Sequence, residues 1–395
     1  MRKLLIAALL MLVFLQLKAQ TDTTYKGLVF RNLTYEEALK VAGKENKMVF
    51  LHGYAEWCHY CKDMMEKVYP DSEVGAFFNT NFINIHMDLE KEGAELNKRL
   101  LSHTFPTLVF FDSKGTVMHR AVGRHMKQIL LQLGQEALDP RRRLYTWQQL
   151  FNEGNCTPDT AYIYLRKLEI ANFNLQQDAL KYLSKQKPEE LKSAANWKII
   201  NDIYRDVSAP FMLTLIRLKP DLETLYTKPA VDRKFTDIYK QEFAIRTRML
   251  DTAGYDNLKK QVKESGLDLA DQIVDYADLQ KAKMKSDYDL YFKLGEEFAK
   301  KHAANDGVLL NEIAQGFYEK TKDPVLLNKA EQWARKSVEL NDCYTYNETL
   351  AGILILEEKK EDARIVTNHA IEVGIKTKAN YKKAQLYLEK IEEMK

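Results

Sequence analysis

The sequence predicts an α/β domain followed by an all-α domain. Between residues 20 and 139, short apolar runs typical of buried strands alternate with stretches of helical periodicity. From Leu144 onward glycine and proline are scarce and apolar residues recur three or four apart, which indicates helices. The 395 residues suggest two or three domains at about 150 residues each. We expect a targeting segment at 1–19, the α/β domain at 20–139, an irregular helical region at 140–304 and helical repeats at 305–395.

The first segment has the features of a cleavable signal peptide. Arg2 and Lys3 precede the apolar stretch from Leu4 to Leu15, and Ala19-Gln20 supplies a cleavage point. Twelve apolar residues are few for a bilayer span, so a membrane anchor is the weaker alternative. The segment predicts export, and its Leu-x-Ala-Gln ending at 17–20 resembles the signal peptides of exported Gram-negative proteins. The resemblance implies the periplasm, a compartment that permits disulfides.

The α/β domain begins with four predicted elements. Gly27 to Phe30 predicts a weak strand, and Thr34 with Glu37 three residues later predicts a capping box at a helix start. The apolar run from Met48 to Tyr54 predicts a buried strand. A helix follows that opens at the first cysteine and stops at Pro70, with these residues predicted to face the core: Met64, Met65 and Val68.

Six further elements complete the predicted domain. Asp71 or Ser72 caps a helix that carries Val74, Phe77 and Phe78, and Phe82 to Asp88 alternates as a strand does. The remaining predictions are a helix at Ala94 to Leu101, a hairpin of Leu108 to Phe111 with Thr116 to Val122, and a last helix with Met126, Ile129, Leu130 and Leu133.

Cys58 and Cys61 lie where a predicted strand turns into a predicted helix. Free backbone N–H groups and the positive helix dipole at that position favour a thiolate at Cys58, which lowers the pKa of its thiol. Cys61, one turn further along, can then attack a mixed disulfide formed at Cys58. A zinc site would need a second ligand pair, whereas Cys156 and Cys343 are solitary. A structural disulfide would close too short a loop to stabilise much. We therefore predict a redox-active dithiol and no metal.

Two motifs carry a resemblance to a known family. They are AEWCHYCK at 55–62 and TFPT at 104–107, which precedes the apolar run Leu108 to Phe111. The stretch from Gly27 to Ala137 resembles thioredoxin and, more closely, the thioredoxin-like domains of bacterial periplasmic and disulfide-reductase proteins. The resemblance implies a central mixed sheet flanked by helices. It also implies that Pro106 is cis and lies beside the dithiol, a rare backbone form.

The resemblance also assigns roles to residues around the dithiol. Cys58 is the implied nucleophile and Cys61 the resolving thiol, while Pro106 and the Phe105 backbone shape the site for an extended substrate. We add Trp57, His59, Tyr60 and Thr107 as candidate substrate contacts. No cofactor other than the dithiol is expected. The implied partners are thiols or disulfides of proteins or peptides, with a membrane electron donor if the protein is a reductase.

Two positions depart from thioredoxin. The buried aspartate that moves a proton to the second cysteine is replaced by His52, and the neighbouring lysine by Asn84. His52 could relay a proton, or it could be a hydrogen-bonded core histidine. Glu56 is a second candidate for moving the Cys61 proton. A cation at His59 would favour the reduced form, but its position leaves the direction of electron flow open.

The helical half contains an internal repeat near its end. Ala330, Ala334 and Ser337 correspond to Ala363, Thr367 and Ala370 at an offset of 33 residues. This pattern resembles the tetratricopeptide repeat, whose period is about 34 residues. The resemblance implies a protein-binding arm, although these helices could serve only to stabilise the first domain. Cys156 and Cys343 are predicted to be buried or free thiols, unless they pair across the helical region.

Composition argues against nucleic acid as a partner. Removal of residues 1–19 takes the formal charge from +3 to about neutral. The sequence therefore predicts an exported thiol:disulfide oxidoreductase with a Cys-His-Tyr-Cys dithiol and a helical protein-binding arm. The alternatives are a peptide-docking or chaperone-like protein in which the dithiol is incidental, and an electron carrier for a single membrane partner.

Overall fold

A computed structural model describes residues 27–207 and 210–394. The chain forms two compact units, of which the first ends at Arg205 and the second begins at Asp206. The predicted signal peptide, residues 1–19, lies outside the described residues. The first part of the first unit contains, in order, α1 (Tyr35–Glu45), β1 (Met48–Tyr54), α2 (His59–Lys67), α3 (Ser72–Asn81), β2 (Phe82–Asp88), α4 (Ala94–Leu100), β3 (Thr107–Phe111), β4 (Val117–Val122) and α5 (Lys127–Leu138).

The four strands form one mixed sheet in the order β2-β1-β3-β4. β1 pairs in parallel with β2 and antiparallel with β3, and Leu51 lies opposite both Ile85 and Val109. β3 and β4 form an antiparallel hairpin. Because β1 and β3 are interior strands covered by helices on both faces, their residues are buried on both sides. The predicted α/β arrangement with a mixed central sheet is confirmed.

Alternate residues of β1 face two separate hydrophobic clusters. Val49 and Leu51 pack with Ala38 of α1 and with both cysteines. Phe50 packs on the other face with Met64 and Phe78. The dithiol therefore belongs to the α1 side of the sheet core, at the end of β1.

Two local predictions were wrong. Gly27 to Phe30 forms no strand, because the backbone hydrogen bonds of this segment do not go to a single neighbouring strand. Leu28 N–H donates to Tyr69 O at 2.7 Å, whereas Arg31 N–H donates to Asn84 O at 2.8 Å. Met65 does not face the core. It is 37% exposed, because Met64 and Val68, four residues apart on one face of α2, occupy the buried side.

Further helices of the first unit follow the sheet. They are α6 (Leu144–Asn152), α7 (Pro158–Ile170), α8 (Gln176–Leu183), α9 (Pro188–Leu191) and α10 (Ala194–Asp202). The start of α6 is bound to the sheet, since Leu144 N–H donates to Nδ1 of the buried His119 on β4 at 3.1 Å. Lys167 of α7 pairs with Glu136 of α5 at 2.6 Å. These contacts join the first helical segment to the α/β domain.

The second unit is built of helices throughout its described residues. They are α11 (Phe211–Tyr226), α12 (Lys228–Arg248), α13 (Thr252–Glu264), α14 (Ala270–Met284), α15 (Tyr288–His302), α16 (Gly307–Tyr318), α17 (Pro324–Leu340), α18 (Tyr344–Leu356), α19 (Lys360–Thr377) and α20 (Lys382–Glu393). The prediction of a long all-helical region is confirmed. The finer partition at residues 140 and 305 stays a prediction.

The small residues aligned by the internal repeat are buried in both helices. Ala330, Ala334 and Ser337 lie in α17, and Ala363, Thr367 and Ala370 lie in α19; each is 0% exposed. Small buried residues allow neighbouring helices to approach closely. Within residues 27–207 and 210–394, none of the helices combines the length and the apolar character that a membrane span requires.

Candidate active site

The first cysteine lies at the start of α2, just beyond the end of β1. Cys58 is the N-cap residue of this helix, and its own N–H donates to Ala55 O at 2.9 Å. The N–H of Cys61 donates to Cys58 Sγ at 3.1 Å. A helix N-terminus and an N–H aimed at the sulfur both favour a thiolate when the pair is reduced.

The two cysteines are joined in a disulfide. Cys58 and Cys61 have Cα atoms 5.3 Å apart, and each residue is 2% exposed. They pack with apolar neighbours that include Ala55, Leu89 and Phe105. The structure therefore shows the oxidised form of the pair, surrounded by apolar side chains.

An aromatic pair and a cis peptide bond border the dithiol. The Phe105–Pro106 bond is cis, as the resemblance implied, and both residues are buried. The Phe105 ring meets the Trp57 ring edge-on, with centroids 5.7 Å apart. Trp57 is 65% exposed and its Nε1–H donates to Glu90 Oε2 at 2.9 Å. That hydrogen bond holds a large exposed ring beside the cysteines, where a substrate can pack on it.

The other three predicted substrate contacts differ in their exposure. His59 and Tyr60 are both exposed on the first turn of α2, with ring centroids 3.9 Å apart. Thr107 is 0% exposed, and its hydroxyl donates to Thr104 O at 2.7 Å. The Thr107 side chain is thus part of the core beneath the cis proline, so a direct side-chain contact with substrate is not available to it.

A cavity of about 530 Å³ opens beside the dithiol. Both cysteines line it, and so do residues from the end of β1, from α2 and from β2: Tyr54, Ala55, Glu56, Lys62, Met65, Glu66 and His86. The cavity explains why Met65 is exposed, because this side chain forms part of its wall. It also brings titratable groups to the same space as the two sulfur atoms.

His52 forms a hydrogen bond with a second histidine. The Nδ1 atoms of His52 on β1 and His86 on β2 are 2.9 Å apart, and the two residues are register partners in the parallel pair. His52 is 0% exposed, and its Nε2 has no hydrogen-bond partner among the described residues. Burial, and then the neighbouring His86, lower the pKa of His52 well below its ordinary value. His52 is therefore neutral, and it does not line the cavity.

His86 lies between His52 and the cavity. It is half-buried, and its ring stacks on Tyr54 at 4.0 Å with an angle of 5° between the planes. Burial lowers the pKa of His86, while the carboxylates of Glu92 and Asp88 act in the opposite direction. The sequence prediction did not include this residue. Only the register of β1 with β2 places it beside His52.

Glu56, the other proposed proton carrier, is placed differently. It is exposed at the rim of the cavity and forms an ion pair with Lys91. The hydrogen bond to Lys91 lowers the pKa of the Glu56 carboxyl. At neutral pH this carboxylate is ionised and paired, which makes it a weaker proton acceptor than a neutral imidazole.

Asn84 occupies the position where the resemblance expects a lysine. It is 2% exposed, and its Nδ2 donates to Asn79 Oδ1 at 3.0 Å. A neutral amide network therefore replaces the buried charge pair, as the sequence indicated. Together with neutral His52, it leaves this part of the core without a fixed charge.

A loop of the first helical segment contacts the cis-proline loop. Asn172, between α7 and α8, donates from Nδ2 to Thr104 Oγ1 at 3.1 Å. The guanidinium of buried Arg120 lies 4.7 Å from the ring centroid of the neighbouring Phe173, which is 38% exposed. This loop therefore borders the cis-proline loop, where the resemblance implies that an extended substrate binds. The sequence does not predict this contact, because no local motif marks a contact between residues 68 positions apart.

The remaining cysteines do not contribute to the dithiol. Cys156 and Cys343 are free and half-buried. In the second unit three carboxylates lie close together, from Glu223, Asp232 and Asp268. Lys219 Nζ lies 2.7 Å from Asp232 Oδ1, and Lys228 Nζ lies 2.6 Å from Asp268 Oδ2. These ammonium groups occupy the space that a cation would need, so the group is an ion-pair network.

Comparison with known proteins identifies the first domain. Residues 35–138 match the family model of the thioredoxin-like domain. The thiol:disulfide interchange protein DsbD of Ralstonia nicotianae is 31% identical over 104 residues, or 25% of this chain and 17% of that protein. Spermatogenesis-associated protein 20 of Rattus norvegicus is 38% identical over 56 residues, or 14% of this chain and 7% of that protein. The chain thus spans less than a fifth of either curated relative.

A solved structure is also similar. The solution structure of a candidate disulphide-isomerase from Bacteroides thetaiotaomicron has 40% sequence identity to this chain, covering 29% of it and 95% of that protein, with a TM-score of 0.28. The family match and the sheet topology together confirm the resemblance that the sequence indicated: residues 35–138 form a thioredoxin-like domain, and a long helical region follows it.

Proposed function

We propose that this protein is a thiol:disulfide oxidoreductase that exchanges disulfides with other proteins or peptides. The observation that carries the proposal is the placement of Cys58 at the N-cap of α2, with the Cys61 N–H on its sulfur and a disulfide to Cys61. Helix N-termini lower thiol pKa values, and a low pKa supplies the attacking thiolate. The match of residues 35–138 to the thioredoxin-like domain supports the same chemistry.

In the reducing direction the reaction has two steps. The Cys58 thiolate attacks one sulfur of a substrate disulfide, forms a mixed disulfide and releases the other substrate sulfur as a thiolate. Cys61 then loses its proton and attacks Cys58 Sγ. The Cys58–Cys61 bond forms, the bond to substrate breaks, and the second substrate sulfur leaves with the electron pair. The dithiol is oxidised by two electrons and the substrate disulfide is reduced.

The substrate surface we propose consists of the exposed Trp57 ring, the residues His59 and Tyr60, and the backbone at Phe105 beside the cis proline. An extended peptide can pack against these aromatic groups. The helical region is proposed as an arm that holds protein partners, because its internal sequence repeat in α17 and α19 resembles the tetratricopeptide repeat. Residues 1–19 are proposed to direct export to the periplasm, where a membrane electron donor would reduce the dithiol.

The reduction potential of the dithiol tests this function. The mature chain, with Cys156 and Cys343 both replaced by serine, is equilibrated with glutathione or dithiothreitol buffers, and alkylation followed by mass spectrometry reports the fraction of molecules that contain the Cys58–Cys61 disulfide. A potential near about −270 mV indicates a reductase, and one between about −180 and −120 mV indicates an isomerase or oxidase.

A Cys58→Ser variant of the same chain serves as the matched control and must show no transition. The proposal fails if the parent also shows none. A peptide-docking role would then be the better account, and the Cys58→Ser variant would retain its peptide affinity.

A further inference from the structure

We propose that His86 takes the proton that Cys61 loses when it resolves the mixed disulfide, and that His52 is a positioning residue that holds the His86 ring. This inference rests on the proposed function. It depends on the cavity of about 530 Å³ that His86 shares with both cysteines, and on the 2.9 Å contact between the two Nδ1 atoms.

The hydrogen bond between the two rings determines which nitrogen can act. A single proton lies between the Nδ1 atoms, so one ring donates and the other accepts. When His86 donates through Nδ1, its Nε2 carries the free lone pair. His86 and Cys61 both line the cavity, whose volume of about 530 Å³ is large enough to hold water, and in the proposed step the proton crosses through a bridging water.

The surroundings keep both histidines neutral at rest. His52 is fully buried, which lowers its pKa and leaves it as an uncharged hydrogen-bond partner. Burial also lowers the pKa of His86, so that its ring is free to accept a proton near pH 7. The charged and titratable groups that face His86 are Asp88 and Glu92 on its own side, Tyr54 and His52 on β1, and Glu56, Lys62 and Glu66 around the cavity.

The proton and the electron pair move separately in the resolving step. The Cys61 S–H proton passes through the water to Nε2 of His86. The sulfur attacks Cys58 Sγ, the Cys58–Cys61 bond forms, and the substrate sulfur leaves with the electron pair of the broken bond. The His86 imidazolium keeps its Nδ1–H on His52, lies near the carboxylates of Asp88 and Glu92, and then returns the proton to the departing thiolate or to solvent.

Quenched-flow oxidation of the reduced protein tests the assignment. The parent again carries serine at Cys156 and Cys343, and excess oxidised glutathione is the probe disulfide. Mass spectrometry after acid quench and alkylation follows both the formation and the decay of the Cys58–glutathione mixed disulfide. His86→Phe preserves an aromatic ring on Tyr54 and removes both nitrogens. The matched control is His103→Phe, because His103 is an exposed histidine of the same domain that does not line the cavity.

We expect His86→Phe to leave the formation of the mixed disulfide unchanged and to slow its decay by about 100-fold at pH 7. The deficit should disappear near pH 10, where the Cys61 thiol ionises without help. Loss of packing alone would slow the reaction at both pH values. His86→Gln serves as a second variant if the phenylalanine variant does not show the circular dichroism spectrum of the parent.

His52 is tested by a pair of substitutions. His52→Leu removes the partner of the His86 ring, and we expect slower decay with an altered pH profile. His52→Asn retains a hydrogen-bonding group near the position of Nδ1 and should restore most of the rate and the profile. Equal decay in the parent and both His86 variants overturns the inference but leaves the proposed function intact. Failure of the parent to form any mixed disulfide overturns the proposed function itself.

Discussion

Acid should weaken the first unit through His119. This histidine is 2% exposed on β4, and its Nδ1 accepts the hydrogen bond from Leu144 N–H at the start of α6. Burial, reinforced by the positive charge of Lys167, lowers the pKa of His119 to about 4, although the carboxylate of Glu136, 3.6 Å from its Nε2, acts in the opposite direction. Protonation of Nδ1 would remove the acceptor that Leu144 uses, so the folded state resists it.

The sign and size follow from that depressed pKa. His119 binds a proton at about pH 6.5 in the unfolded chain and at about pH 4 in the folded protein. The free energy of unfolding therefore falls as the pH drops from about 6.5 to about 4. The full contribution is about 3 kcal/mol, and about 2 kcal/mol of it is lost between pH 7.5 and pH 5. His52 and His86 act in the same direction, but they are present in both the parent and the variant below.

The assay compares urea unfolding of the parent and a His119→Gln variant at pH 7.5 and pH 5. Unfolding is followed by tryptophan fluorescence. Both proteins carry Trp333→Phe, so that the signal comes only from the first unit, which contains the other tryptophans, Trp57, Trp147 and Trp197. Glutamine retains an acceptor and does not titrate, so the variant should lose about 2 kcal/mol less than the parent on acidification. An exposed-histidine control, His103→Gln, should behave as the parent does. Equal losses in the parent and His119→Gln would refute the reasoning.

Three further substitutions test other parts of the structure. Thr34→Ala removes the capping box with Glu37 and should destabilise the first unit by about 1 kcal/mol in urea unfolding, while Thr34→Ser should not. Ala334→Leu overfills a fully buried position in α17 and should cost about 1–3 kcal/mol in thermal unfolding of the second unit; unchanged stability would contradict the packing. Asn172→Ala breaks the contact with Thr104 and should alter the KM for a peptide disulfide without changing the rate of Cys58 alkylation.

The fold was predictable wherever local signals determine structure. The strands at Met48–Tyr54 and Phe82–Asp88 have the predicted bounds, because an apolar run marks the first and alternation of apolar and polar residues marks the second. The Thr34 capping box formed as predicted, since cap and partner lie three residues apart. The prediction that Met65 faces the core was wrong, because neighbouring helical positions differ by about 100° in direction and Met64 and Met65 therefore do not share a face.

The candidate site was predictable only in part, for the same reason. Cys58 and Cys61 form a contiguous motif whose chemistry depends on the helix that begins there. The contact of His86 with His52 depends instead on the register between two parallel strands, in which these residues are 34 positions apart. The contact of Asn172 with Thr104 depends on the packing of a distant loop. Neither contact leaves a periodic or motif signal in the sequence. Nonlocal register and packing therefore account for what sequence analysis missed.

The exchange of a buried aspartate for a histidine pair changes the electrostatics of proton transfer. A buried carboxylate that acts as a base is an anion in the core before it accepts the proton, which is costly unless a lysine lies nearby. Here Asn84 supplies no such charge, and the neutral pair of His52 and His86 needs none. The charge instead appears as a cation on His86, at the half-buried end of the pair and near Asp88 and Glu92. The replacement of the buried acid by His52 and of the lysine by Asn84 therefore fit together. A base that is neutral before it accepts the proton places no negative charge in the core, so it needs no lysine to balance one.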